Sequence, residues 1–491
     1  MRLAFKSPPP HPQAAISGDD KLLRNIRRLI WLYFWLLIFE GALRKWVLPQ
    51  LSNPLLIVRD PVVLLIYVLA IRARVFPRNA WVFSLTVIAF LSLAVSFLAL
   101  WPYLPPSRIV LVSGFGFRAN YLHLPLIFLM PRVLRAEDVK RIGWWVLLAI
   151  VPMSILMVAQ FQAAPGSWLN GTASGEGEQI VAALGKVRAA GPFSFVVGVV
   201  AYFSLATGFL VWAALKRGVY KNWVLMAAGI ALLIGIAVSG SRSVVGACAV
   251  VVSSLLLVLF LRPGAVNRFG QTLLMTVVLG FILTKTPVFK EGLSVLGARF
   301  SAVAEAEEQS IAAGLISRVF EGVSEVVRVF PDAPFFGYGL GIGTNAGAKF
   351  LTGQSTFLLA EGEWGRLILE SGPVLGLAFV LWRCGLAVRI GLLCLRSVRR
   401  GNVLPLLLFS SGGLPLMNGQ FGPPTILGFA VFTTGLALAA RNADDETELA
   451  AAPTPGSTGA SRRVVGRRSA YADRLHGPAA PRNQSNGSVD R

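Results

Sequence analysis

Charge is scarce in this chain of 491 residues: 14% of positions are charged, and 46 Lys and Arg stand against 24 Asp and Glu. Cysteine and histidine are scarcer still, at three each. Cys248, Cys384 and Cys394 all lie in or beside apolar runs rather than in loops, which argues against a disulfide framework and against a cysteine metal site. Of His11, His123 and His476, only His123 falls in the apolar part of the chain. A net charge of +22 would point to nucleic acid in a soluble protein. Here the basic residues cluster in short loops between apolar segments, a pattern that fits membrane lipids as partners and not nucleic acid.

What the chain has in abundance is apolar sequence. Hydrophobic residues make up 55% of it, the mean hydropathy is +0.65, and apolar runs recur from residue 29 to residue 440. A helix needs about 20 such residues to cross a hydrocarbon core roughly 30 Å thick. The expected fold is therefore an all-α polytopic transmembrane bundle of about twelve spans. They are expected at 29–49, 54–71, 80–101, 108–130, 143–161, 191–215, 222–239, 243–261, 269–286, 364–388, 403–417 and 424–440. The basic start (Lys21, Arg24, Arg27, Arg28) leads straight into a full-length span with no small-residue cleavage site behind it, so the first span is expected to be retained.

Every second loop is basic: Arg72, Arg74 and Arg78; Arg132, Arg135, Lys140 and Arg141; Lys216, Arg217 and Lys221; Arg262 and Arg268; Arg396, Arg399 and Arg400. This alternation predicts a multi-pass protein of a bacterial inner membrane with both termini in the cytoplasm. The opposite, periplasmic face then carries two long segments, 162–190 and the much larger 287–363, and loops of that length are usually functional. Domain organisation follows: a cytoplasmic N-terminal segment 1–28, a transmembrane domain 29–440, and a tail 441–491. The tail is rich in Ala, Pro, Ser, Gly and Arg and is expected to be disordered, as are residues 1–20.

Within the large loop, 311–330 is periodic. Leu315, Ile316, Val319, Phe320, Val323, Val326, Val327 and Phe330 fall on one face, and Arg318, Glu321, Glu325 and Arg328 on the other. An amphipathic helix lying on the membrane or capping the bundle is expected there, ended by Pro331 and Pro334. The Gly-rich run 336–343 follows, without the spacing of a phosphate-binding loop. Arg242, in Ala-Val-Ser-Gly-Ser-Arg-Ser-Val-Val-Gly at 237–246, sits at the seam of two apolar runs. It is either a snorkelling arginine at a helix start or a contact for an anionic substrate, and its small flanking residues favour the second.

The order of these parts resembles the O-antigen ligase and O-antigen polymerase superfamily of bacterial membrane glycosyltransferases. The matching pieces are Ser-Gly-Ser-Arg at 239–242, Arg188-Ala-Ala-Gly-Pro-Phe at 188–193, the Arg318-led helix running into Pro-Phe-Phe-Gly-Tyr-Gly-Leu-Gly at 334–341, and Leu-Ile-Leu-Glu-Ser-Gly-Pro-Val-Leu-Gly-Leu at 367–377. The resemblance implies transfer of a glycan from an undecaprenyl-pyrophosphate carrier to an acceptor hydroxyl of a saccharide or lipid, on the periplasmic side. Guanidinium groups stabilise the pyrophosphate leaving group bidentately in such a site. No Asp-x-Asp motif occurs in the chain, which is consistent with a metal-independent site without cofactors.

The resemblance makes Arg242 and Arg318 catalytic candidates and Arg188 a substrate-binding one. The ligases carry a His-Asn pair about nine residues before the Glu-x-Gly of the last motif, where this chain has Glu361 and Gly362. Glu361 or Glu363 is then the expected general base. Bland readings stand beside several of these. Arg318 is equally a charge on a solvated face with Glu321 as its i+3 partner. Arg366 and Glu370, at i,i+4, form either a structural ion pair or part of the substrate site. Arg118 is either a second pyrophosphate contact or an internal partner of Glu40 or Asp60. Two other function classes compete: a secondary transporter or flippase of lipid-linked saccharides, and a non-catalytic scaffold of polysaccharide assembly. The lack of a repeat between 29–215 and 222–440 favours an enzyme over a transporter.

Overall fold

A computed structural model of the chain describes residues 13–173, 181–216, 218–261, 278–307, 322–353 and 358–451. Residues to Glu446 belong to one compact unit; of a second, Thr447–Arg491, the described residues are 447–451, which are helical. Among the described residues the architecture is helical, apart from one short hairpin. Seven helical stretches among the described residues are long and apolar enough to cross a membrane, and Asn222–Val238 and Leu404–Asn418 are shorter apolar helices.

The elements are α1 (Gln13–Ala42), α2 (Asp60–Arg72), α3 (Ala80–Leu100), α4 (Pro106–Phe117), α5 (Leu126–Val133) and α6 (Ala136–Gln162). After the strands β1 (Val181–Ala183) and β2 (Lys186–Val187) come α7 (Val196–Leu215), α8 (Asn222–Val238), α9 (Arg242–Leu261), α10 (Pro287–Glu307), α11 (Asn345–Thr352), α12 (Glu363–Arg400), α13 (Leu404–Asn418) and α14 (Pro424–Ala451).

Several boundaries differ from expectation. The helix at the expected first span, 29–49, begins at Gln13, so 13–20 is helical and continuous with the basic Lys21–Arg28 stretch; it gives way to a π-helical turn at Leu43–Val47 and is not among the seven membrane-length stretches. The last helix runs past 440 to Ala451, where Ala, Glu and Asp-rich sequence sustains it. The expected span 108–130 is three pieces, because Pro125 and a π-helical turn at Arg118–Leu122 interrupt it. Only 278–286 of the expected 269–286 span is described. Residues 322–329 continue the predicted amphipathic helix, with Val323, Val327 and Phe330 exposed, whereas Arg318 and Glu321 lie outside the described residues.

Four of the five basic loops gather at one end of the bundle; Arg262 and Arg268 lie outside the described residues. Arg27 donates to the Val133 carbonyl, Arg132 to Val75 and Phe76, Asn442 to Pro131 and Asn402 to Ala440. Tyr220 donates to Lys140 in the same layer. The opposite end is built from the end of α6, the α8–α9 turn, the start of α7 and the end of α13. Ser154 reaches the Ala231 carbonyl, Gly235 packs on Phe203, and Gly208 on Leu407 in antiparallel register.

The largest departure is in α12. It is not one rod through the expected 364–388: Gly372 takes φ 78° and ψ 166°, followed by Pro373. A straight helix would put Glu363 and Arg383 roughly 30 Å apart, yet their side chains are 2.7 Å apart. The arm 363–371 therefore folds back on 373–400, with Gly376 against the backbone of Leu367 and Ile368. The last carbonyls of the short arm find partners in the Gly-rich run: Tyr338 donates to Leu369 at 2.8 Å and Gly339 to Glu370 at 3.0 Å. The motif pieces 334–341 and 367–377 are thus interlocked through their backbones.

Gly372 has two reasons to be glycine, a left-handed φ and the Phe335 carbonyl oxygen where a Cβ would stand. Gly372→Ala is expected to destabilise the fold by at least about 2 kcal/mol, read as a lowered thermal midpoint in detergent; an unchanged midpoint would show that the fold-back is not needed.

Candidate functional site

Two kinds of arginine occur at the end of the bundle opposite the basic loops, one buried and one half-buried. The first kind is paired. Glu363 opens the short arm of α12 and is 4% exposed. Its Oε1 accepts from Arg383 Nη1 at 2.7 Å, Arg366 Nη2 at 3.0 Å and the Phe421 amide at 3.2 Å, and its Oε2 from Arg366 Nε at 3.0 Å. Arg366 also donates to Glu370 Oε2 at 2.7 Å and to Asn120 Oδ1 at 2.9 Å, while the Gly343 amide donates to Glu370 Oε1 at 2.9 Å. Arg383 turns its remaining N–H groups to the carbonyls of Leu416, Pro415 and Gly419, the exposed C-terminal carbonyls of α13. Of the two readings of Arg366 and Glu370, the ion pair is the one observed. Glu363, offered as a base, has both oxygens engaged by guanidinium groups.

Arg118 is likewise paired inside the protein. Its Nε lies 2.6 Å from Asp60 Oδ2, and the other Asp60 oxygen lies 2.9 Å from His123 Nε2, whose Nδ1 meets Tyr33. Of the partners considered for Arg118, Asp60 is the one found; Glu40 instead holds Arg59 at 3.0 Å. These pairings keep ionised groups tolerable in an apolar bundle.

The second kind is unpaired. Arg188 follows β2, which turns back on β1 through Leu184 and Gly185, both at positive φ. Gln160 then clamps Gly191 on both sides, accepting from its N–H at 2.7 Å and donating to its carbonyl at 3.2 Å, and Lys45 donates to the same carbonyl at 2.9 Å. Arg242 begins α9 directly after Ser239-Gly240-Ser241, where Gly240 takes φ 55° and both serines are buried. Arg299 lies on α10, which rests on the end of α8 through Gly292 and Ala237, and Glu291 binds Lys186 of β2 at 3.0 Å.

The guanidinium groups of Arg242 and Arg299 both lie within electrostatic reach of Arg188. Burial lowers the pKa of Arg188, and the charges of Arg299 and Arg242 lower it further. Among the described residues none of the three pairs with a carboxylate, and the Nε atoms of Arg188 and Arg299 are buried without a hydrogen-bond partner. The start of a 20-residue helix at Arg242 adds the positive end of its dipole. Such a cluster is unfavourable by itself and favourable around a polyvalent anion.

Arg188 and Arg242, separate motifs in the sequence, are thus brought together. Arg299 was missed. Its signal was present: Gly292, Val295, Leu296 and Arg299 form one i, i+3, i+4, i+7 stripe, and the first three are buried. Arg383 was missed too, a lone charge inside an apolar run.

Glu361 stands apart from the cluster. It is exposed and lines an open pocket with Arg328, Trp364, Asn418 and Gln420, with Glu363 at its floor. Among the described residues the contacts of Glu361 and Glu363 run to Gln420, Arg366, Arg383 and Phe421, and none runs to the three arginines. No three His, Cys, Asp or Glu side chains among the described residues converge on a metal position.

Removal of the Glu363 carboxylate separates structure from catalysis. Glu363→Ala leaves Arg366 short of a counter-charge and Arg383 without one, and is expected to cost about 3–5 kcal/mol. Thermal unfolding in detergent reads the loss. A midpoint equal to that of the unsubstituted protein would return Glu363 to the list of candidate bases.

No protein-family model and no curated protein matches the chain, so a functional reading rests on the side chains themselves.

Proposed function

We propose that the protein is a multi-pass glycosyltransferase of a bacterial inner membrane that moves a glycan from a polyprenyl-pyrophosphate carrier, undecaprenyl-pyrophosphate by the family resemblance, to an acceptor hydroxyl. The observation that carries this reading is the carboxylate-free cluster of Arg188, Arg242 and Arg299 at a helix start, two of them with buried, unpartnered Nε atoms. It lies at the end of the bundle away from the basic loops, the periplasmic end if those loops are cytoplasmic.

In the reaction, the acceptor oxygen attacks the anomeric carbon and the bond from that carbon to the pyrophosphate oxygen breaks. The electron pair passes to the leaving pyrophosphate, where planar guanidinium forks meet the growing charge. The acceptor hydroxyl gives up its proton to a carboxylate. Glu361 is the better candidate, because its carboxylate has no partner among the described residues whereas Glu363 is locked between Arg366 and Arg383.

The test is complementation of a deletion strain, with glycan chain length and carrier-linked intermediates read on gels at matched protein levels. Loss of one oxyanion-stabilising donor commonly costs 100- to 1,000-fold, to order of magnitude, so Arg242→Lys, Arg242→Ala and Arg299→Ala are expected to leave carrier-linked glycan unprocessed. Glu361→Gln is expected to lower turnover about 100-fold or more while carrier binding persists. Full chain length in Arg242→Ala would overturn the proposal.

A further inference from the structure

The pocket around Glu361 has no role in holding the pyrophosphate. Its rim carries the Glu361 carboxylate, the Arg328 guanidinium and the Asn418 amide, none with a side-chain partner among the described residues, and the Gln420 amide, which reaches the Glu361 carbonyl. Its floor is rigid. Glu363 is pinned by two arginines, and the Trp364 indole N–H is held by the Met417 carbonyl at 3.1 Å.

One wall is the 322–329 helix, fixed to the floor because Glu325 accepts from the amides of Gly362 and Gly365 at 3.0 and 3.4 Å. The same helix leaves Val323, Val327 and, just beyond it, Phe330 exposed. An exposed apolar face of this kind suits a membrane surface, which would bring the pocket mouth to the boundary between lipid and water.

The chemistry of the rim selects its ligand. One guanidinium facing several carboxylates makes the pocket a poor receptor for pyrophosphate, and the unpartnered polar groups make it a poor receptor for a lipid chain. A carboxylate, two amides and a guanidinium around an indole offer both donors and acceptors, as a ligand rich in hydroxyls requires. We infer that this pocket binds a neutral, hydroxyl-rich saccharide segment: the acceptor end of the transfer proposed above, on which the assignment to an acceptor rests. The pocket and the arginine cluster share one end of the bundle, because α13 starts beside the basic loops at Asn402 and therefore ends, at Asn418, at the end opposite them.

The experiment uses the full chain in nanodiscs and two probes. One is the repeat-unit oligosaccharide released by mild acid from the carrier of cells bearing the gene and labelled at its reducing end. The other is farnesyl pyrophosphate. Asn418→Ala and Arg328→Gln, the latter at an exposed position, are each expected to weaken oligosaccharide binding about tenfold, the worth of one good hydrogen bond, and to leave farnesyl pyrophosphate binding intact. Arg242→Ala is expected to do the reverse. Oligosaccharide binding that no pocket substitution alters, or no saturable oligosaccharide binding, overturns the pocket assignment. Pocket-dependent oligosaccharide binding in a protein that Arg242→Ala leaves able to make full-length glycan supports the pocket and removes the transfer reading.

Discussion

One carboxylate holds the end of this bundle opposite the basic loops in shape. Glu363 accepts from two guanidinium groups that arrive from opposite directions, Arg366 one turn along the same arm and Arg383 from the far arm of the broken α12. The reversal at Gly372 brings the two arms together, and the ion pair makes that reversal the favourable arrangement in an apolar surround where an unmatched charge is costly. Because Arg383 also takes up the terminal carbonyls of α13, the same carboxylate fixes where α13 ends and where the chain turns towards α14. The Gly-rich run then docks on the carbonyls that the fold-back leaves open.

Against that background the unpaired arginines are the informative ones. Buried cations in this chain are generally matched: Arg59 with Glu40, Arg118 with Asp60, Arg366 and Arg383 with Glu363. Arg188, Arg242 and Arg299 are half-buried and differ: among the described residues none pairs with a carboxylate, and Arg188 feels the charge of the other two. A bundle that pairs its charges elsewhere has here three like charges near one another without a carboxylate among the described residues, and an anion with several oxygens among them would relieve their repulsion. The clamp on Gly191 by Gln160 and Lys45 holds the backbone behind Arg188 against that repulsion.

The sequence made the membrane class legible, because hydropathy and basic loops follow directly from the solvent the chain meets. The gathering of those loops at one end follows from the same alternation. The fold-back was written more faintly, as Ser-Gly-Pro at 371–373 inside a run whose hydropathy reads as one continuous span. Hydropathy reports burial and not direction. Pairings were ambiguous for a related reason: Arg118 had two acidic candidates, and only tertiary structure chose Asp60 over Glu40. Arg299 was passed over because 287–363 read as a loop, yet its helix carries a buried stripe that ends in that arginine.

The division of labour between two separate polar regions also fits the chemistry proposed for the chain. A transferase must bind one partner through a dense negative charge and the other through uncharged hydroxyl groups, and no single set of side chains serves both. Cations that favour pyrophosphate gain little from a neutral sugar, and a carboxylate able to take a proton would repel the pyrophosphate if it stood among its ligands. Keeping Glu361 clear of the arginine cluster, on an exposed turn supported by the Glu363 network, lets each region hold its own electrostatic character. On the proposed reading the two substrates meet across the outer end of the bundle, and the rigidity that Glu363 imposes sets the distance between them.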